Sequence, residues 1–190
     1  MRTELRKKTA HILMGIGFTW AITAGVLRAW HFLIILPVLL LFTWPRARGK
    51  MPLLERWMRQ FDRKDKAAGI GAVWFVLGVL LVWLVFGEHP QLVAAAIMVL
   101  TFGDTASSLF GRRFGETPNP LNRNKLIEGT AAGVFAAFIG AWWFVPWLPA
   151  LVGAVAGMLV ETMEFRYQIH RLDDNLIVPI VAALAMYPLV

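Results

Sequence analysis

The sequence predicts an all-α integral membrane protein of about seven transmembrane helices, with its amino terminus in the cytoplasm and its carboxyl terminus outside. Three observations carry this. Apolar side chains make up 58% of the 190 residues, well above the share in a soluble domain. They are gathered into seven runs, and at about 20 residues per span roughly 140 residues would build seven helices, which leaves short connections. Of the 19 Lys and Arg residues only Arg28 falls on the far side of these runs. The positive-inside rule assigns the near side to the cytoplasm.

The runs follow in order. The first, 12–27, stands behind Arg2, Arg6, Lys7 and Lys8 and has the outline of a signal peptide. Six further runs, and Arg28 where a small-residue cleavage site would stand, point instead to a retained helix. The second is 29–44. A basic segment, 45–68, carries eight Lys/Arg and leads into the third run, 69–87. The fourth, 92–102, has only about 11 strictly apolar residues, too few for a bilayer core, so it must recruit Gln91 and 103–109 and be either broken or buried against protein. The fifth, sixth and seventh are 130–148, 150–165 and 176–190. Trp20, Trp30, Trp44, Trp83, Trp142, Trp143 and Trp147 sit near span ends, as interfacial anchors do.

No repeat or second domain is visible, so residues 1–190 read as one membrane-embedded domain. A soluble enzyme with a large extramembrane domain is excluded, and any chemistry belongs on short loops and helix ends. The absence of cysteine excludes disulfides, thiol catalysis and Cys-ligated metals. The net charge of +7 reports topology here, not nucleic acid. Eleven of the 12 acidic residues share the basic side, Glu88 being the exception. Topology does not need them, so acids among bases on one face point to a charged, metal-bound substrate.

Residues 103–133 hold the most specific stretch: G-D-T-A-S-S-L-F-G-R-R-F-G, then E-T-P-N-P-L-N-R-N, then K-L-I-E-G-T-A-A-G. Asp104 at the edge of an apolar run is a carboxylate suited to Mg²⁺. Gly111 and Gly115 flank Arg112 and Arg113, which either pair with polyphosphate oxygens or simply set topology. Lys125 adds a compact positive charge. Glu128 is either part of the same cradle or a first-turn acid facing a helix dipole. Lys7 or Lys8 shares a helical face with His11, which is a general base or an interfacial hydrogen-bonding group. Glu161 lies within an apolar helix, where an idle carboxylate is costly. Asp174 and Asn175 open the last helix, as site residues or as caps.

These blocks resemble the CTP-dependent lipid kinases, the family of dolichol, polyprenol and phytol kinases and of yeast-type diacylglycerol kinase. Glu4 to His11 is similar to the family's E…R-K-x-x-H, and Arg63-Lys64-Asp65-Lys66 to its basic loop. Residues 103–133 are close to G-D-x-x-A-x-x-x-G-R-x-x-G…K-S-x-E-G-(S/T)-x-A-G, with Leu126 where the family has serine. Glu161 with Asp173-Asp174-Asn175-Leu176 and Pro179 is like E…D-D-N-L-x-(I/V)-P.

The resemblance implies a phosphotransferase that moves the γ-phosphoryl group of CTP to the hydroxyl of a membrane lipid alcohol. Polyprenol or dolichol is the first expectation, then phytol, geranylgeraniol or diacylglycerol. It implies a site on the cytoplasmic face of the cytoplasmic membrane, with Asp104, Lys125, Glu128 and Glu161 catalytic. Lys7, Lys8, His11, Gly103, Thr105, Gly111, Arg112, Arg113, Gly115, Gly129 and Asn175 would bind nucleotide or phosphate, and Asp104 with Glu128 or Asp174 would hold Mg²⁺. Two other readings are a cytidylyltransferase making CDP-lipids, which lacks support from any P-G-H-G-G-like segment, and a small transporter, which would place its charges nearer mid-membrane. The sequence is silent on oligomeric state.

Overall fold

Each of the seven apolar runs forms an α-helix among the residues described by the structure, a computed structural model, which are 2–47, 70–163, 166–167, 170–171 and 173–190. They are α1 (Arg2–Thr23), α2 (Ala29–Ala47), α3 (Ile70–Phe86), α4 (Pro90–Phe114), α5 (Ile127–Trp142), α6 (Trp147–Met163) and α7 (Asp174–Met186). Two short antiparallel hairpins interrupt them. One pairs β1 (Pro118–Asn119) with β2 (Asn122–Leu126), and the other pairs β3 (Arg166–Tyr167) with β4 (His170–Arg171). The basic block at 63–66 lies outside the described residues.

Local signals set the boundaries. Gly25, at a left-handed φ of 70°, follows α1 and donates its N–H to the Ile22 carbonyl at 3.0 Å, a turn in which glycine avoids the Cβ clash. Pro90 begins α4 at a position whose N–H has no helical partner to lose. Asp173 caps α7, accepting from the Asn175 N–H at 3.2 Å.

The fourth run settles as an unbroken, buried helix. It extends over 25 residues, and every residue from 92 to 101 is buried. Around it pack α1, α3, α5, α6 and α7. Among the described residues α4 is the one helix long and apolar enough to cross a membrane, and several of the others are shorter apolar helices. Ten residues of helix follow Asp104, so this carboxylate sits within α4, not at its end.

Small residues let two helix backbones approach closely. The α4–α5 crossing is built this way. Gly103, Ser107 and Gly111 recur every fourth residue on α4, and Gly129, Gly133 and Ala137 do so on α5. A Cβ on Gly129 would stand 2.8 Å from the Ser107 carbonyl oxygen and 2.9 Å from the Gly111 Cα, and one on Gly103 would stand 3.2 Å from the Ala137 Cβ. The glycines of the most specific motif therefore seat one helix against another.

The helices alternate in direction, which brings to one end of the bundle the start of α1, the later half of α4, the β1–β2 hairpin, the end of α6 and the start of α7. Exposed Trp20, Trp30, Trp142, Trp143 and Trp147 mark the opposite turns, α1–α2 and α5–α6.

Candidate functional site

Two ion pairs form the centre of this end. Lys8 of α1 donates to the Asp104 carboxylate at 2.7 Å and to its carbonyl oxygen at 3.2 Å. Ser108, one turn along α4, adds a long hydrogen bond of 3.4 Å to the other carboxylate oxygen. His11, one turn after Lys8, places Nε2 at 3.8 Å from the same Asp104 oxygen. That is too far for a hydrogen bond. The second pair joins Lys125 at the end of β2 to Glu161 of α6, with Lys125 also donating to the Glu161 carbonyl oxygen.

The pairs form one electrostatic cluster. Asp104 is acted on by Lys8, His11 and Lys125. Asp174, in the first turn of α7, is acted on by Lys125, Glu161 and Asp104. The capping task falls to Asp173, which leaves the Asp174 carboxylate for this cluster. Among the described residues, two buried atoms here have no hydrogen-bond partner, His11 Nε2 and Glu161 Oε2. Unsatisfied buried polar atoms are rare in proteins, and two in one charged cluster mark where a ligand would complete the shell.

A polar network holds the second pair in place. Asn122 on the hairpin donates to the Thr162 carbonyl at 3.1 Å, Asn119 donates to the Thr130 hydroxyl at 3.2 Å, and the Thr130 and Thr162 hydroxyls meet at 3.2 Å. The hairpin is thus tied to α6 beside the residue that Lys125 grips. Asn119, Asn122, Thr130 and Thr162 are absent from the sequence-derived site, because nothing in their spacing reveals that a hairpin folds back onto a helix 40 residues away.

The remaining expected residues lie elsewhere or do other work. Lys7 pairs with Glu4 at 3.5 Å, and so does the largely exposed Arg112. Arg113, exposed, lies 5.5 Å from the Phe114 ring centroid. Both arginines are helical, so the glycines beside them do not form a phosphate loop. Gly103, Gly111 and Gly129 occupy the α4–α5 contact. Gly115 ends α4 and packs on Leu126, whose Cβ would stand 2.8 Å from a Cβ added there. Thr105 is buried, its hydroxyl unpartnered. Asn175 donates to the Gly71 carbonyl at 3.4 Å, joining α7 to α3.

Glu128 accepts from the Thr117 N–H at 3.1 and 3.3 Å. Just ahead of the fifth apolar run, its carboxyl is held below the usual glutamate range by its own backbone N–H and then by Thr117. It is engaged with the hairpin, so the set Asp104, Glu128 and Asp174 is not assembled around one point. Among the described residues no group of three His, Asp or Glu side chains stands ready to hold a metal ion. The cluster offers no all-protein cage, but it does fit Mg²⁺ that arrives on phosphates, which takes one or two carboxylates and keeps its other ligands.

No family model and no solved structure matches the chain. Curated relatives do. It is 27% identical to CTP-dependent diacylglycerol kinase 1 of Schizosaccharomyces pombe, over 90% of this chain and 77% of that protein. It is 24% identical to probable phytol kinase 1, chloroplastic, of Oryza sativa (97% and 64%), and 25% identical to farnesol kinase, chloroplastic, of Arabidopsis thaliana (96% and 64%). The chain spans just under two thirds of the length of these plant relatives. The resemblance carried by the motif blocks is borne out: the chain is similar to a CTP-dependent diacylglycerol kinase and to phytol and farnesol kinases, phosphotransferases whose acceptor is an alcohol group.

Proposed function

We propose that the protein is a single membrane-embedded domain that transfers the γ-phosphoryl group of CTP to the hydroxyl of a membrane lipid alcohol at the cytoplasmic face of the cytoplasmic membrane. In this reading all seven helices span the bilayer, with the amino terminus inside and the carboxyl terminus outside. The acceptor is an isoprenoid alcohol, polyprenol or dolichol first, or diacylglycerol. The names of the relatives support a lipid alcohol and CTP. The observation that carries the reading is the gathering of Lys8, His11, Asp104, Lys125, Glu161 and Asp174 at one end of the bundle, from five separate elements.

Phosphoryl transfer asks a protein mainly for positioning and charge neutralisation. Lys8 and Lys125 are the two ammonium groups at the centre, each neutralised by a carboxylate. Nucleotide phosphates would take over those ammonium groups. Asp104 with Asp174 would hold a nucleotide-borne Mg²⁺, which supplies charge neutralisation when bound. His11 and Asp104 would orient the lipid hydroxyl, Asp104 accepting its proton as the oxygen bonds to phosphorus and CDP leaves.

Product analysis tests this. Purified protein given CTP and a panel of lipid alcohols should yield CDP and lipid phosphate. Pyrophosphate and CDP-lipid, formed when the corresponding lipid phosphates are supplied with CTP, would make it a cytidylyltransferase instead.

A further inference from the structure

The charged cluster accounts for the polar end of a lipid alcohol and leaves the tail without a place. The first helix supplies one. Lys8, His11, Met14, Phe18 and Ala21 recur at intervals of three and four, one stripe along α1. Beyond His11 this stripe borders a shallow, open cavity of about 260 Å³ on the exposed face of α1, lined by Leu13, Met14, Gly17, Phe18, Ala21 and Leu27, without a charged residue.

An aromatic seam joins the cavity to the site. Phe75 meets the His11 ring edge-on with centroids 5.4 Å apart and meets Phe18 in the same manner at 5.6 Å, while Phe18 stacks on Phe32 at 5.9 Å. Phe18 is thus both floor of the cavity and continuation of the wall behind His11. Gly17 is its notch: a Cβ there would meet no atom of the described residues within 4 Å. Gly15, two positions earlier, is instead pressed onto Thr101 of α4.

We propose that this cavity takes the first part of the hydrocarbon tail of the lipid alcohol, delivering its hydroxyl to His11 and Asp104. The inference rests on the lipid kinase reading and adds where the tail lies and which residue limits its bulk. The occupant follows from continuity. The groove begins within a turn of His11 and runs about 12 Å from Leu13 to Ala21, at 1.5 Å per helical residue, so it matches a ligand that is polar at one end and apolar beyond.

Gly17→Leu is the direct test, because its side chain enters open space and leucine is the better helix former. Rates would be compared along a ladder of alcohols: prenol, geraniol, farnesol and geranylgeraniol. For farnesol and geranylgeraniol kcat/KM should fall by about tenfold or more, the scale on which an apolar pocket rejects a misfit, with prenol turnover and the KM for CTP unchanged. An unaltered chain-length profile would overturn the proposal. A second arm needs no turnover: a farnesol analogue with a tail diazirine, photolysed with the unmodified protein, should label residues 13–27. Labelling confined to other helices would overturn it. So would oxidation of Gly17→Cys to disulfide-linked dimers to the same extent with and without farnesol present, since the face would then belong to a second copy. If the unmodified protein phosphorylates no alcohol at all, the kinase reading fails, and the photolabel still decides the cavity.

Discussion

Lys8 and Asp104 stand 96 positions apart in the chain and 2.7 Å apart in space, an ion pair that joins the first helix to the buried central one. With side chains only 13% and 20% exposed the pair is mostly buried, and a buried pair is often no more stabilising than well-packed apolar residues in its place. Function is therefore the better reason for two charges where an apolar contact would serve α1 and α4 as well. Asp104→Asn keeps the shape and removes the charge. It should lower the melting temperature, because the mostly buried Lys8 loses its carboxylate partner, and cut kcat of the folded protein by about a hundredfold or more, the scale of losing one group that stabilises transferring charge. Normal turnover by Asp104→Asn that is still folded at the assay temperature would make the pair a structural clasp.

The Lys125–Glu161 pair is more deeply placed, with the Glu161 side chain only 4% exposed. Removing one member of a buried pair strands the other, at a cost of about 3–5 kcal/mol. Lys125→Met should therefore lower the melting temperature markedly. The double variant Lys125→Met/Glu161→Leu should recover much of that stability and none of the activity. Thermal unfolding in detergent checks the first claim and phosphoryl transfer the second.

The basic residues separate by position. Lys8→Ala and Lys125→Ala should each lose most activity. Arg113→Ala, exposed beside the Phe114 ring, should lose less than about threefold, since exposed single charges carry little and orientation survives the loss of one. Rate measurements at saturating CTP decide this. A loss at Arg113 as large as at Lys8 would extend the phosphate site along α4.

The α4–α5 contact gives a prediction about stability alone. Gly129→Ala would place a Cβ 2.8 Å from the Ser107 carbonyl oxygen, and overpacking of this kind costs about 1–3 kcal/mol. Gly17→Ala, in open space, should cost nothing. Side-by-side melting curves of the two variants check the contrast.

Much of this was legible in the sequence, for identifiable reasons. Asp104 and Glu161 stood out because an acid in an apolar run carries no topological value and must be paired or used. Lys8, His11, Lys125 and Asp174 were legible from their place in motif blocks among the basic connections between the apolar runs. Glycine beside arginine has the look of a phosphate loop, while the recurrence of small residues every fourth position, Gly103, Ser107 and Gly111 and again Gly129, Gly133 and Ala137, is the signal of the helix contact that the structure shows. Glu128 was legible as a first-turn acid but not as a partner of Thr117, which depends on the hairpin. The ties from Asn119 and Asn122 to Thr130 and Thr162 could not be read at all, since they exist only once the hairpin meets the end of α6.

The central claim is that the cluster around Asp104 and Glu161 is where phosphoryl transfer takes place. The measurement that tests it most directly follows label from γ-labelled CTP into extracted lipid for the unmodified protein, Asp104→Asn and Glu161→Gln, each first shown to be folded and monodisperse. The account predicts labelled lipid phosphate from the unmodified protein and almost none from either variant. Undiminished transfer by both variants would contradict it.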